Sequence, residues 1–182
     1  LQSANIDATA QGSNIKEVDE ALKSASKKGT GESGFPDFTA KVKDFLIVIE
    51  DKSDLSKHCK LDSNSCIDLD NIKSITDYAV NGAIHYAKHL AKNTSFKKII
   101  AIGVSGDERH HKISPYFINE RGILDKKLND LETFTLLNED NIESYYSQEI
   151  LNITPKEETT DEEVKQDAEY LHECLRNYGA IK

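Results

Sequence analysis

The chain has 182 residues, 37% of them hydrophobic and 30% charged, with a formal net charge of −9. That is the length of one domain, or at most two small ones. The longest apolar run, Phe45–Ile49, falls far short of the roughly 20 residues that cross a bilayer, which excludes a membrane-spanning helix.

No basic-then-apolar leader opens the chain. Three cysteines (Cys59, Cys66 and Cys174) are too few and too irregular for a disulfide framework, which reads as a reducing, cytoplasmic setting. Methionine is absent, even from position 1, so a chain beginning at Leu1 reads as a processed product or a piece of a longer protein, the piece being favoured by the apolar stripe near the C-terminus. The acidity is concentrated late. Residues 1–60 carry 9 basic and 10 acidic side chains, residues 61–120 carry 7 and 7, and residues 121–182 carry 7 and 15. An acidic chain grips nucleic acid weakly, because phosphate neutralisation supplies most non-specific affinity. Lys23, Lys27, Lys28, Lys41 and Lys43 nevertheless offer a local basic surface.

Residues 1–13 are polar and patternless and read as a flexible arm. The spacing of Ile15, Val18, Leu22 and Ala25 predicts a helix over 14–27, capped by Asn14. Gly29–Gly34 is a glycine-rich loop without the Lys-Ser/Thr ending of a phosphate-binding loop. A short strand is expected over Phe38–Val42 and a turn at Lys43-Asp44. Phe45–Lys52 follows as the strongest strand, apolar on both faces and therefore central.

After a polar loop over 53–68, one long helix is expected over 70–92, burying Ile72, Ile75, Ala79, Ala83, Tyr86, Ala87 and Leu90. Strands are then expected over Lys97–Val104, Ile113–Ile118 and Thr133–Leu137, and helices over 139–151 and 160–177. The acidic run Glu157–Glu163 suits the start of that last helix. Its stripe of Val164, Ala168, Leu171, Leu175 and Tyr178 would dock on another domain or on the chain's own core. The fold class is α/β, a mixed β-sheet flanked by helices.

The chemistry concentrates in Pro36-Asp37 and, thirteen residues after Asp37, Glu50-Asp51-Lys52. Residues two apart on a strand share a face, so Glu50 and Lys52 project together and Asp51 faces away. A hairpin of 38–42 with 45–52 would set Asp37 beside Glu50. Phosphodiester hydrolysis needs that inventory. Carboxylate oxygens hold Mg²⁺, the metal offsets phosphate charge and acidifies a water, and a lysine orients that water and stabilises developing charge.

These residues resemble the signature of the PD-(D/E)xK nuclease superfamily. More narrowly, residues 26–31, 34–38, 44–52, 77–83 and 103–107 resemble the N-terminal nuclease domain of single-polypeptide restriction–modification enzymes, over about residues 14–178. The resemblance implies a restriction-endonuclease-like core at 14–155 and a linker helix at 156–182 toward a downstream N6-adenine methyltransferase and target-recognition region. It implies a domain that cleaves double-stranded DNA using Mg²⁺, with Mn²⁺ as a substitute; since cutting both strands takes two such sites, a transient dimer on DNA is the accompanying hypothesis. Asp37 and Glu50 would bind the metal, the backbone carbonyl of Asp51 would be a further ligand, and Lys52 would be the catalytic lysine. The superfamily often adds an acidic residue from the first helix. At 100° per residue Glu17 borders the apolar stripe and Glu20 lies nearly opposite, which favours Glu17. Some members carry Gln-x-x-x-Tyr on the following helix. This chain departs from that, with Gly82 four before Tyr86 and Asn81 one further back.

Plainer readings stand beside this one. Glu50 and Lys52 could simply solvate a strand end, or the fold could be a catalytically inactive module that binds DNA or a partner domain. His110-His111 reads as a solvated hairpin turn. His85 and His89 read as a helix surface, having no third metal ligand. His58-Cys59 with Cys66 lacks zinc spacing and reads as a floppy loop. Asp62 to Asp70 lacks the glycine and glutamate of a calcium loop.

Overall fold

A computed structural model describes residues 1–152. The helix expected over 160–177, the acidic run before it and the 156–182 linker lie outside the described residues. Six strands form one sheet in the order of the chain: β1 (Ala8–Ala10), β2 (Phe38–Val42), β3 (Phe45–Lys52), β4 (Lys98–Gly106), β5 (His111–Ile118) and β6 (Leu124–Lys127). Neighbours are antiparallel except β3 and β4, which run parallel. A parallel pair needs a crossover. Two helices supply it here, α2 (Ile72–Asp77) and α3 (Ala79–Asn93). No described helix is long and apolar enough to cross a membrane.

Period-two alternation divides the core into two halves. On one face Leu46, Val48, Ile99, Ala101, Tyr116 and Ile118 pack under α3 and α1 (Lys16–Leu22). On the other, Phe45, Ile47, Ile49, Ile100, Ile102 and Phe117 meet Ala4, Ile6, Leu131, Leu137, Ile142 and Tyr145. The last two belong to α4 (Ile142–Tyr145), continued by a wider turn through Ile150. Strands β2 and β3 have the expected limits, because a two-residue turn joins them and Lys43 takes the left-handed conformation (φ 53°) that such a turn needs.

Four expectations are corrected. Residues 1–13 are no loose arm: Ala8–Ala10 pairs with Phe38–Ala40, and Ala4 and Ile6 are buried. Their anchoring is entirely long-range, so no local period announces it. Helix α1 is short, and Ile15 rather than Asn14 occupies its N-cap, with no side-chain cap. The single helix over 70–92 breaks at Tyr78, which is extended (φ −117°, ψ 134°), and the Val80 N–H bonds the His58 carbonyl instead. Ile72, on the short first piece, is 51% exposed. Thr133–Leu137 is a 3₁₀ turn over Phe134–Leu137, begun by Thr133, and the sixth strand is Leu124–Lys127. That strand is a half-exposed edge of mixed polar residues, with no apolar alternation to read.

The restart of α3 brings its N-terminal end down onto β4. A Cβ at Gly103 would lie 2.5 Å from Val80 Cγ2 and 2.6 Å from Val80 N. Gly103 is paired in register with Glu50, so this close approach also fixes what sits over Glu50. Because backbone cannot yield as a side-chain tip does, Gly103→Ala should destabilise the fold by about 1–3 kcal/mol. A urea titration of the two proteins measures this, and an unchanged midpoint would contradict the packing described.

Candidate active site

Glu50 ends the apolar run of β3 and is 1% exposed. Its Oε2 accepts from Lys27 Nζ at 2.6 Å and from Lys52 Nζ at 3.2 Å. Its Oε1 is buried and has no hydrogen-bond partner among the described residues. Burial raises the Glu50 pKa, Asp37 adds to the rise, and the Lys27 and Lys52 ammoniums oppose it. Asp37 stands at the start of β2, next to Phe38, which pairs with Ile49. Its Oδ2 accepts from the Asp51 N–H at 2.8 Å, which ties the edge carboxylate to β3. Burial first, and then Asp37, raise the Asp51 pKa as well. Asp37, Glu50 and Lys52 therefore converge at one strand end.

Glu17 does not join them. Its oxygens accept from Ser95 N at 2.9 Å and Ser95 Oγ at 2.8 Å, which hold its pKa below the usual value. It lines a groove with Lys41, Lys43, Asp44 and Lys98, at the opposite end of β3. Helix α1 packs on α3, and its Val18 and Leu22 share a core with Leu46 and Val48 of β3. Its first turn lies at the start of that strand, and the chain following its last turn reaches Glu50. The residue delivered there is Lys27. Glu20 is also elsewhere, exposed and paired with Lys23 at 2.7 Å.

Lys27 is the site residue the sequence did not disclose, since a lysine in a Ser-Lys-Lys-Gly run reads as solvated surface. Its ammonium lies 5.0 Å from the centre of the Tyr86 ring, a favourable cation–π placement. Burial and the nearby carboxylates push the Tyr86 hydroxyl pKa well up. Gly82 leaves the room. A Cβ there would be 3.1 Å from both Glu50 Oε2 and Lys27 Nζ, and 3.0 Å from the Ile75 carbonyl. Asn81, its neighbour, is committed elsewhere, bonding Lys60 N and O and Asp68 O.

No group of three or more His, Cys, Asp or Glu side chains able to hold a metal occurs among the described residues. The donors present still suit Mg²⁺, which keeps several waters and takes one or two carboxylates. Glu50 Oε1 is a buried anionic acceptor without a donor, and an unpaired buried acceptor is costly. His85 and His89 are no candidates. Their Nε2 atoms face the Ala25 and Ala21 carbonyls at 3.2 and 2.9 Å, the first in the loop after α1 and the second in its last turn.

The loop holding His58 is corrected too. His58 is 8% exposed and bridges Ser105 Oγ and Ser114 Oγ, both at 2.8 Å. Ser114 Oγ donates to Asp130 Oδ1 at 2.6 Å, so it accepts from His58 Nε2–H, and Ser105 donates to Nδ1. Ser105 is paired with Lys52, so this chain of bonds buttresses the strand end that carries the site.

Together, fold and cluster define a mixed α/β domain, consistent with a restriction-endonuclease-like core, with a carboxylate–lysine cluster at the end of its central strand. In sequence, the chain is 40% identical over 174 residues, 94% of its length, to the type II restriction enzyme and methyltransferase RM.BcgI of Heyndrickxia coagulans. The chain spans 27% of that protein's length. No family model matches the chain, and no solved structure does.

Burial, reinforced by Lys112 and Lys127, lowers the His58 pKa to about 4. Above pH ~6.5 the ring is neutral in both folded and unfolded chains. Between ~6.5 and 4 only the unfolded chain takes up the proton, so stability should fall with pH by up to about 3 kcal/mol. His58→Gln should remove that part of the acid sensitivity. Chemical denaturation of both proteins across pH 4–7 measures the difference, and parallel curves would refute the neutral, doubly bonded histidine.

Proposed function

We propose that this chain is the nuclease domain of a restriction–modification enzyme, hydrolysing phosphodiester bonds of double-stranded DNA with Mg²⁺, or Mn²⁺ in its place. The observation that carries this is Glu50. It is a fully buried carboxylate with one oxygen gripped by two lysines and the other left without a donor, on the strand that Asp37 borders. The relative, a type II restriction enzyme and methyltransferase, agrees in class. So does the small share of that protein which the chain spans.

On this reading Asp37 and Glu50 hold the metal, with the Asp51 backbone carbonyl as a third donor. The site then carries the PD-(D/E)xK arrangement. When bound, Mg²⁺ supplies positive charge against the scissile phosphate and lowers the pKa of the attacking water. Lys52, held beside Glu50 by the alternation of β3, orients that water and stabilises the charge that develops at phosphorus. Asp37 is fixed by the Asp51 N–H, so its remaining oxygen is set before substrate arrives. A buried, preorganised cluster has little reorganisation left to undergo in the reaction. Sequence recognition and methylation belong to downstream domains of the parent polypeptide. Cutting both strands needs two such sites, and hence a transient dimer on DNA.

Supercoiled plasmid incubated with the chain and Mg²⁺ or Mn²⁺ tests this. The expected result is nicking or linearisation that drops at least about 100-fold in each of Asp37→Ala, Glu50→Ala and Lys52→Ala. Metal and DNA binding without cleavage, in this chain and in the parent protein, would instead establish an inactive binding module. Cleavage surviving all three substitutions would place the site elsewhere.

A further inference from the structure

Three cations meet at one carboxylate on the reading above, and Glu50 has only two oxygens. Lys27 and Lys52 both lie on Oε2. A divalent metal on Oε1 would stand close to two ammoniums, and like charges in a buried site repel strongly. That repulsion is relieved if one of the three gives way.

The roles proposed above decide which. Lys52 belongs to β3, and its Cα is held in register with Ser105 of β4. Its ammonium makes the longer contact (3.2 Å) from the more exposed side chain (25%), but on the reading above it stays to orient the attacking water. Lys27 follows α1 in a loop, and its side chain is 15% exposed, so its ammonium reaches solvent by rotation about its own four side-chain bonds. Among the described residues, Glu50 Oε2 and the Tyr86 ring hold that ammonium. Gly82 keeps the space around it clear.

We propose that Lys27 is an exchangeable counter-ion for Glu50. It pairs with the carboxylate in the metal-free protein, gives way as the divalent metal binds, and is thereby released to meet a phosphate of the DNA. Lys27 is a positioning residue on this account. It keeps the buried carboxylate compensated before metal arrives, and its departure couples metal binding to substrate binding. The inference rests on Glu50 being a metal ligand.

Two measurements on the 182-residue chain test it. In the first, Mn²⁺ is titrated calorimetrically into wild type, Lys27→Met and Glu50→Ala. Removing the competing charge should tighten Mn²⁺ binding by about tenfold or more, and Glu50→Ala should abolish it. Lys27→Gln replaces the methionine variant if that one does not fold. In the second, the Lys27 ammonium of the wild-type protein is followed by ¹⁵N NMR while Mg²⁺ is added. Its ion-paired signal should move to the position of a solvated lysine, and should then respond to a short DNA duplex. Wild type that binds Mn²⁺ through Glu50, with Lys27→Met binding equally or more weakly and the Lys27 signal unmoved by Mg²⁺, would overturn this inference alone. Wild type that binds no Mn²⁺ would remove the metal-dependent reading and this inference together.

Discussion

A carboxylate buried to 1% exposure at the end of an apolar strand cannot remain charged unless its surroundings compensate it. Glu50 imposes that constraint, and much of the surrounding architecture answers to it. Lys52 stands two residues along the same strand. Lys27 arrives from the end of α1, 23 residues away. Gly82 gives Lys27 the room to arrive, and Gly103 lets α3 descend close enough to seal the carboxylate from water. Each of these residues is small, or cationic, because of what it faces rather than because of its own segment's propensity.

The parallel pairing of β3 with β4 carries this arrangement. It aligns Glu50 with Gly103 and Lys52 with Ser105, so the end of one strand that carries the candidate site is backed by the next. Behind Ser105 lies a chain of hydrogen bonds through His58 and Ser114 to Asp130. Fully satisfied buried networks of this kind hold their members in one geometry. The histidine stays neutral there, so the network adds no further positive charge near the two lysines. Electrostatic competition at Glu50 is thus confined to Lys27, Lys52 and any metal that binds.

The sheet's two faces divide the labour. The face under α1 and α3 bears Glu50 and Lys52. The other is a plain apolar core closed by the N-terminal residues and α4. The first ten residues therefore matter to stability although they lie outside the candidate site. Glu17, at the far end of the sheet, has an ordinary local role in fastening the Ser95 turn after α3.

Strands β2 and β3, the face of α3 and the juxtaposition of Asp37, Glu50 and Lys52 were legible in the amino-acid sequence. All rest on local rules: period two on a strand, period 3.6 on a helix, and a two-residue turn that sets hairpin register. Tertiary structure alone decided the rest. Lys27 reaches Glu50 because α1 packs on α3 over the sheet face that bears Glu50, a relation no residue spacing encodes. Glu17 misses the site for the same reason. His58 is buried because two serines on neighbouring strands present their hydroxyls to its two ring nitrogens. The helix breaks at Tyr78 because an N–H of α3 finds the His58 carbonyl. The N-terminal strand forms because a distant edge offers it partners. In each case the deciding energy comes from groups far apart in the chain, where local pattern carries no information.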